Sequence, residues 1–289
     1  MFLLNKFKKR KPVVSFEIFP PNQHMTLKRL LEVIDGLAIY RPDFISVTYG
    51  ASGNASNNYT IDIAQYIKEK YTIEAMPHLT CINTTLDKME TLLSDIVQKD
   101  LKNILALRGD LPKSQELSTN LHKDFTYASD LITYVKDQAL PISTAAACYP
   151  EGHVESSCLD QDLNHLKYKV ACGVDFLITQ LFFDNDKFYS FKNKLFHKDI
   201  HVPVTVGIMP ITNAKQIKRI VQLSGASIPK DLQNILTKYE YDEKSMFEAG
   251  IEFASYQIEN LMSYNVDGFH LYVMNKPSVA KSIYKNMGW

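Results

Sequence analysis

Several side chains that could do chemistry stand at the ends of short apolar runs. In VVSFEIFPP, the alternation of a strand places Glu17 on the same face as Ser15 and Phe19, opposite Phe16 and Ile18. Glu17 is then turned toward the protein interior. A carboxyl group there is costly to ionise unless it is paired, which suits a general acid. A structural pairing with an interior arginine or lysine is an equally good alternative.

Two later runs end in polar residues of other kinds. ALRGDLP places Arg108 and Asp110 on either side of a glycine, which would let a ligand approach the backbone. The letters RGD also form an adhesion tripeptide, but a strand end in a chain with cytosolic-type thiols disfavours that function. ITQLFFD carries Gln180, whose amide can both donate and accept hydrogen bonds. A buried amide of this kind can also be purely structural.

Histidines follow two more of these runs. His78 ends the third run, and His153 follows Tyr149 after the fifth; for each, a structural role is the stronger alternative. His197 and His201 are four residues apart, but the segment between them resembles a loop and lacks a third ligand. We therefore expect no zinc site there.

The fifth run, STAAACYP, consists mainly of small residues. Such a wall could border a flat ligand, or it could pack closely against a helix. In the helical pattern that follows it, Asp162, His165 and Lys169 share a face distinct from the leucine stripe. By default we expect that face to be solvated.

The elements that must position these residues alternate along the whole chain. We predict eight strands, at residues 13–19, 44–49, 73–80, 104–107, 142–148, 176–181, 204–208 and 269–273. We predict helices between them, at residues 27–39, 61–69, 86–99, 127–138, 159–171, 213–223 and 248–264, with a further short helix at 228–236 inside an insertion at 224–244. Eight strand–helix units in under ~300 residues predict a single α/β domain, a (β/α)₈ TIM barrel over residues 1–289 with its active site at the carboxyl ends of the strands. The GxGxxG motif of a doubly wound dinucleotide-binding fold is absent from the sequence.

Composition excludes several classes of protein. The 289 residues carry 32 basic and 32 acidic side chains, which argues against a protein that coats nucleic acid or a membrane surface. No apolar run approaches ~18 residues, and the amino-terminal basic cluster follows its short apolar run, the reverse of a secretory signal. The four cysteines form no CxxC pair and are expected to be reduced, buried thiols of a cytoplasmic protein.

Taken in order, the segments SFEIFPP, SVTYG, MPHLTC, ALRGDLP, AACYPEGH and ITQLFFD resemble the flavin-dependent methylenetetrahydrofolate reductase family in its catalytic-domain-only form. The resemblance runs over about residues 13–276. It implies a (β/α)₈ barrel that binds FAD and reduces 5,10-methylenetetrahydrofolate to 5-methyltetrahydrofolate. It further implies that the electrons come from NADH or NADPH in a ping-pong reaction that supplies methyl groups for methionine synthesis. Members are commonly homo-oligomers.

The resemblance also assigns roles to residues. Glu17 matches the acid that protonates a folate nitrogen, Asp110 matches the carboxylate that contacts the pterin and stabilises the cationic intermediate, and Gln180 matches the amide that contacts pterin and nicotinamide in turn. Gln216, Tyr272 and Lys276 match further substrate-binding positions. The FAD-binding pattern falls on Thr48, Tyr49, Ala51, His78, Arg108, Gly109, Asp110, Tyr127, Ala128, Tyr149, His153, Asp162, His165 and Lys169.

The chain departs from the family pattern at three positions. Ile220 replaces an aromatic residue, which removes a stacking surface, and His165 stands where some relatives carry asparagine. Lys276 replaces an arginine and cannot make a bidentate contact with a glutamate-tail carboxylate. Because the sequence ends soon after the barrel, we also expect no adenosylmethionine-responsive domain.

Two other functions remain open at this point. One is another flavin-dependent barrel oxidoreductase, of the proline dehydrogenase type, and the other is a folate- or flavin-binding module without turnover.

Overall fold

Eight parallel strands form a closed barrel in the computed structural model, which describes residues 1–9, 12–49, 59–82, 84–109 and 124–289, apart from the side chain of Lys218. The strands are β1 (Val13–Ile18), β2 (Phe44–Val47), β3 (Glu74–Thr80), β4 (Asn103–Leu107), β5 (Ser143–Cys148), β6 (Phe176–Thr179), β7 (Val204–Ile208) and β8 (Gly268–Tyr272). Each pairs with its sequence neighbours, and β8 pairs with β1 to close the barrel. The predicted (β/α)₈ barrel is confirmed.

Helices surround this barrel. They are α1 (Leu4–Lys9), α2 (Leu27–Ala38), α3 (Tyr59–Tyr71), α4 (Leu86–Gln98), α5 (Ala128–Asp137), α6 (Leu159–Ala171), α7 (Asn185–His197), α8 (Ile217–Ser224), α9 (Lys230–Lys238), α10 (Glu243–Ser263) and α11 (Pro277–Met287), with a 3₁₀ turn at Ala214–Gln216. α10 starts five residues before its predicted start, because the Asp242 side chain caps it by accepting from the Ser245 amide. α11 begins with Pro277 and ends before Gly288 in the left-handed conformation, both typical of helix termini.

The main core lies between the outer face of the strands and the helices. Its strand side includes Phe16, Ile18 and Phe269, and its helix side includes Leu30 and Ile34 of α2, all fully buried. Because parallel strands are covered on both faces, their sequences are apolar almost throughout. The polar residues inside the barrel are the exceptions.

The amino-terminal end of the barrel is closed by α1. Phe7 packs against Phe176 with ring centroids 5.0 Å apart, and Leu3 is fully buried in the same cluster. The Leu3 amide donates to Asn103 Oδ1 at 2.8 Å, and the Lys6 ammonium pairs with Asp43 at 3.4 Å. A short segment before the first strand therefore fills the end of the barrel opposite the predicted site.

A separate apolar cluster lies beyond the carboxyl ends of β6 and β7. Its buried members are Leu181, Phe183, Met209, Ile211, Ile217, Ala226, Leu232 and Met246. A Cβ on Gly250 of α10 would lie 1.8 Å from the Ile211 carbonyl oxygen, so only glycine allows this approach of helix to loop. This cluster holds α8 and α9 against the barrel, and Ile220 packs into it.

The expectation that all four cysteines are buried needs correction. All four cysteines are free, but Cys158 is exposed because it is the residue preceding α6, and Cys172 is only half-buried. In the described parts of the chain, no helix is both long and apolar enough to cross a membrane.

Candidate active site

Glu17 projects into the barrel near the carboxyl ends of the strands, as the alternation of β1 predicts. Its neighbours in register are Ser46 of β2 and Tyr272 of β8. The side chain is 12% exposed, and its Oε2 lies 3.7 Å from His78 Nε2 and 3.6 Å from His270 Nε2. Among the described residues, the basic side chains recorded within 4.0 Å of this carboxyl are these two histidines, and no arginine or lysine is among them. Within the described residues, Glu17 therefore forms no ion pair with an interior arginine or lysine, which was the alternative to a role as acid.

His270 is fixed below the carboxyl group. It is fully buried in β8, with Ser15 Oγ 2.7 Å from Nδ1 and Ser46 Oγ 3.3 Å from Nε2. Its ring also stacks on Phe44, with centroids 5.9 Å apart. Sequence reasoning misses this residue, although alternation along FHLY places it on the same face as Tyr272.

His78 lies on the other side of Glu17 and differs in one respect. Its Nε2 is buried and has no hydrogen-bond partner among the described residues. Burial lowers the pKa of His78 from its ordinary value of 6.5 to about 4, which outweighs the opposing effect of Glu17. The ring is thus neutral near pH 7. A buried polar atom without a partner is uncommon, and this nitrogen is therefore a candidate to hydrogen-bond a ligand.

Tyr272 and Gln180 lie at the ends of β8 and β6. The Tyr272 hydroxyl donates to the Thr179 carbonyl at 3.0 Å. Burial, and to a smaller extent the nearby Glu17 carboxylate, raises the pKa of Tyr272 well above its ordinary value. A Cβ on Gly207 would lie 2.7 Å from the Tyr272 ring, so only glycine at this position lets the ring pack against β7. Gln180 Oε1 accepts from the Leu181 amide at 2.9 Å, which leaves its NH₂ group as the available donor.

A second polar group joins the ends of β4 and β5. Arg108 donates from both terminal nitrogens to the two carboxylate oxygens of Glu155, each at 2.6 Å. The Glu155 amide donates to His153 Nδ1 at 3.1 Å, and the His153 ring lies edge-on to Tyr149 at 4.7 Å. Sequence reasoning misses Glu155, because no motif marks it.

The small-residue wall of β5 is bordered by α6. Lys169 Nζ donates to the Ala147 carbonyl at 2.7 Å, and burial lowers the pKa of this lysine. Asp162 is buried and accepts from Ser156 Oγ at 3.4 Å, whereas His165 is exposed. The expectation of a solvated face is therefore wrong for Asp162, which the loop after β5 covers, and for Lys169, whose ammonium group bonds the Ala147 carbonyl.

The remaining residues of the predicted flavin set occupy the rim. Thr48 and Tyr49 follow β2, Tyr127 caps α5 beside Ala128, and Gly109 follows β4 with a φ of +88°. Tyr127 is 59% exposed and so is open to a ligand. Ala51 and Asp110 lie outside the described residues.

The predicted substrate residues Gln216 and Lys276 are exposed at two further loops. Gln216 ends the 3₁₀ turn that precedes α8. Lys276 donates to Thr212 Oγ1 at 3.2 Å and lines a cavity of about 290 Å³ with Arg29 and Asn275. The structure therefore gathers Glu17, His78 and Tyr272 inside the barrel, and places Gln216 and Lys276 at its edge.

Comparison with known proteins gives a consistent result. Residues 3–288 match the family model described as methylenetetrahydrofolate reductase. A 5,10-methylenetetrahydrofolate reductase from Escherichia coli (strain K12) is 34% identical over 275 residues, covering 95% of this chain and 90% of that protein. A protein of the same name from Buchnera aphidicola is 36% identical over 273 residues, covering 94% and 90%.

Two further similarities extend this comparison. Methylenetetrahydrofolate reductase (NADH) 1 of Arabidopsis thaliana is 33% identical over 95% of this chain, which spans 48% of that protein. A solved structure from Clostridium thermocellum, described as binding two copies of 5-methyl-5,6,7,8-tetrahydrofolic acid, aligns over 100% of both chains. Its TM-score is 0.67 with 14% identity, which supports the fold alone.

Proposed function

Since the chain belongs to the methylenetetrahydrofolate reductase family, we propose that it reduces 5,10-methylenetetrahydrofolate to 5-methyltetrahydrofolate with FAD and with NADH or NADPH. The reaction is of the ping-pong type, in which the nicotinamide leaves before the folate enters the same face of the site. One observation carries the proposal. Glu17 is a carboxyl group inside the barrel, with two histidines and no arginine or lysine recorded within 4.0 Å of it among the described residues.

In this proposal Glu17 is the general acid. It donates its proton to a nitrogen of the five-membered ring of the folate, and the carbon–nitrogen bond to the bridging carbon breaks. The electron pair stays on the protonated nitrogen, while the carbon becomes an iminium with the second nitrogen. Because the low pKa of His78 leaves that ring uncharged near pH 7, it adds no fixed positive charge that would hold Glu17 ionised.

The residues around the barrel mouth fit a flavin. The buried Nε2 of His78 has no partner among the described residues, and β5 presents only the small side chains of its alanines beside the mouth. Gly109 has a positive φ at the end of β4, where a backbone would approach the ligand. FAD, when bound, would accept a hydride from the nicotinamide and pass it to the opened folate. The proposed binding residues are Thr48, Tyr49, Ala51, His78, Arg108, Gly109, Asp110, Tyr127, Ala128, Tyr149, His153, Asp162, His165 and Lys169.

Other residues would bind and orient the substrates. We propose that Asp110 stabilises the iminium cation electrostatically and that the NH₂ group of Gln180, for which no partner is recorded among the described residues, contacts each substrate in turn. Gln216, Tyr272 and Lys276 would line the folate path, with Lys276 supplying positive charge. We also propose a cytoplasmic, homo-oligomeric enzyme that serves methionine synthesis.

The proposal is tested by separating the two half-reactions in Glu17→Gln. Glutamine keeps the shape of the side chain and cannot donate a carboxyl proton. We expect nicotinamide oxidation with an artificial electron acceptor to stay near the wild-type rate, while folate reduction falls by about 10²–10⁴-fold. Glu74→Gln, in a strand carboxylate at the opposite end of the barrel, should reduce neither rate.

Equal loss of both half-reactions in Glu17→Gln would rule out the role as acid. Reduction of the flavin by proline, with no response to folate, would instead support a barrel of the proline dehydrogenase type.

A further inference from the structure

The contact between Arg108 and Glu155 joins two separate parts of the barrel mouth. The residues are 47 positions apart, one after β4 and the other in the loop after β5. Both bonds are 2.6 Å long, in the fork-to-fork arrangement that fixes the plane of a guanidinium group. Each partner stabilises the charged form of the other. The hydrogen bond from Arg108 lowers the pKa of Glu155, and the same contact raises the pKa of Arg108.

Folding stability alone does not explain such a geometry here. The side chains of Arg108 and Glu155 are 25% and 51% exposed, and ion pairs of this exposure contribute little to stability. A bidentate pair at the surface is more informative about orientation, because it restricts a long side chain to one direction.

Glu155 also determines which nitrogen of His153 carries the proton. The backbone amide of Glu155 can only donate, so His153 Nδ1 must accept, at 3.1 Å. Burial lowers the pKa of His153, which favours the neutral ring. In that ring the proton is on Nε2, so the histidine presents an N–H donor on its other side.

We propose that Glu155 is a positioning residue for the flavin, a role that rests on the proposed function. It uses two of the five N–H donors of Arg108, which leaves three in fixed directions for the oxygens of bound FAD. Through its own amide it also orients the His153 donor. A single residue outside the family's flavin pattern thereby preorganises two residues inside it.

Glu155 could instead compete with FAD for Arg108, and that role predicts a change of opposite sign in the Kd for FAD. If its carboxylate competed with FAD for Arg108, removal of the carboxylate would tighten FAD binding. If it positions Arg108, removal weakens binding, because the guanidinium must then be ordered when FAD binds. The direction of the change in Kd separates the two.

The test is FAD titration of the apoprotein of Glu155→Gln, followed by flavin fluorescence and by the visible circular dichroism of the bound flavin. We expect Kd to rise about tenfold, with an altered dichroism band that a purely structural change far from the ring would not produce. Glu155→Asp keeps the charge at a shorter reach, and its Kd should lie between those of wild type and Glu155→Gln.

Glu32→Gln is the matched control. Glu32 also forms an exposed pair with an arginine, to Arg29 at 2.7 Å, and its side chain is 50% exposed. Its loss should leave the Kd for FAD unchanged. Because Glu155 acts through Arg108, Glu155→Gln should add little further loss in an Arg108→Gln background.

Several results would overturn the proposal. One is a Kd for FAD that is unchanged or lower in Glu155→Gln. Another is a Kd for Glu155→Asp that does not lie between those of wild type and Glu155→Gln. The third is a full addition of the two losses in FAD affinity when Glu155→Gln is combined with Arg108→Gln. A wild-type apoprotein that binds no FAD would be a failure of the proposed function instead.

Discussion

At the scale of single residues, the two histidines beside Glu17 are held differently. His270 has a serine hydroxyl within reach of each ring nitrogen, whereas His78 Nε2 has no hydrogen-bond partner among the described residues. His270 is therefore part of the fixed barrel interior. His78 is left with a nitrogen that a bound ligand could use.

The lowered pKa of His78 predicts a pH dependence of stability. In the unfolded chain this ring binds a proton below its ordinary pKa of 6.5, while in the folded chain it does so only below about 4. Between these values the unfolded state binds more protons, so the free energy of unfolding falls as the pH falls from 6.5 to 4. The contribution at stake is on the order of 3 kcal/mol.

Urea unfolding of the apoprotein at several pH values between 7 and 4 measures this effect. His78→Gln should unfold with a flatter pH dependence than wild type across that range. His201→Gln is the control, because it makes the same change at an exposed ring. If His78→Gln kept the full wild-type slope, His78 would not be the group responsible.

The network around His270 makes a second prediction. His270→Ala would leave a cavity and would remove the ring that the Ser15 and Ser46 hydroxyls contact, although Ser15 keeps its hydrogen bond to the Phe269 carbonyl. We expect a loss of about 2–5 kcal/mol in the free energy of unfolding. Ser15→Ala leaves the ring in place and removes only the contacts of one hydroxyl, to His270 and to the Phe269 carbonyl, so it should cost less, about 1 kcal/mol. Equal losses in the two variants would show that the ring is not held as described.

Alternation along β1 predicts the direction of Glu17, because successive side chains of a strand point to opposite faces and the apolar residues on either side of Glu17 occupy the outer face. The same rule would have found His270, but a single histidine in an apolar strand carries no motif. Glu155 and the burial of Asp162 depend on how a loop folds over a neighbouring element. Contacts between residues distant in sequence do not follow from local pattern.

At the scale of elements, α1 closes one end of the barrel with a few side chains. Phe7→Ala would remove a buried ring that packs against Phe176 and should cost about 3–5 kcal/mol of stability. Phe2→Ala is the matched control, since that ring is 39% exposed and should cost far less. Urea unfolding measures both, and a similar loss in the two variants would contradict the closing role of α1.

Element positions follow from the sequence better than their ends do. β7 has its predicted bounds, β8 is shifted by one residue at both ends, and each of the other strands differs from prediction by one or two residues at one end. The predicted strands ending at residues 19, 49 and 181 stop earlier because the chain leaves the sheet before the residues of the mouth. α1, α7 and α11 lie outside the predicted helices. α1 has only six residues and α7 is rich in aromatic residues, which weakens the helical period of both. α11 has a clear period, with Val279, Ala280, Ile283 and Tyr284 buried, and sequence reasoning misses it.

At the scale of the whole molecule, the two ends of the barrel differ in chemistry. α1 fills the amino-terminal end with apolar side chains, and the carboxyl end carries the carboxylate, imidazole, amide and guanidinium groups. That these groups meet at one end could be predicted from the sequence, because in a (β/α)₈ barrel the carboxyl ends of all strands lie at the same face. The single-domain extent over residues 1–289 stays a prediction.

The visible spectrum of the purified protein under anaerobic conditions tests the proposed enzyme most directly. We expect a flavin band that bleaches when NADH or NADPH is added and returns when 5,10-methylenetetrahydrofolate follows. Bleaching without recovery on adding the folate would contradict folate reduction. A colourless protein that cannot be reconstituted with FAD would contradict the flavin site itself.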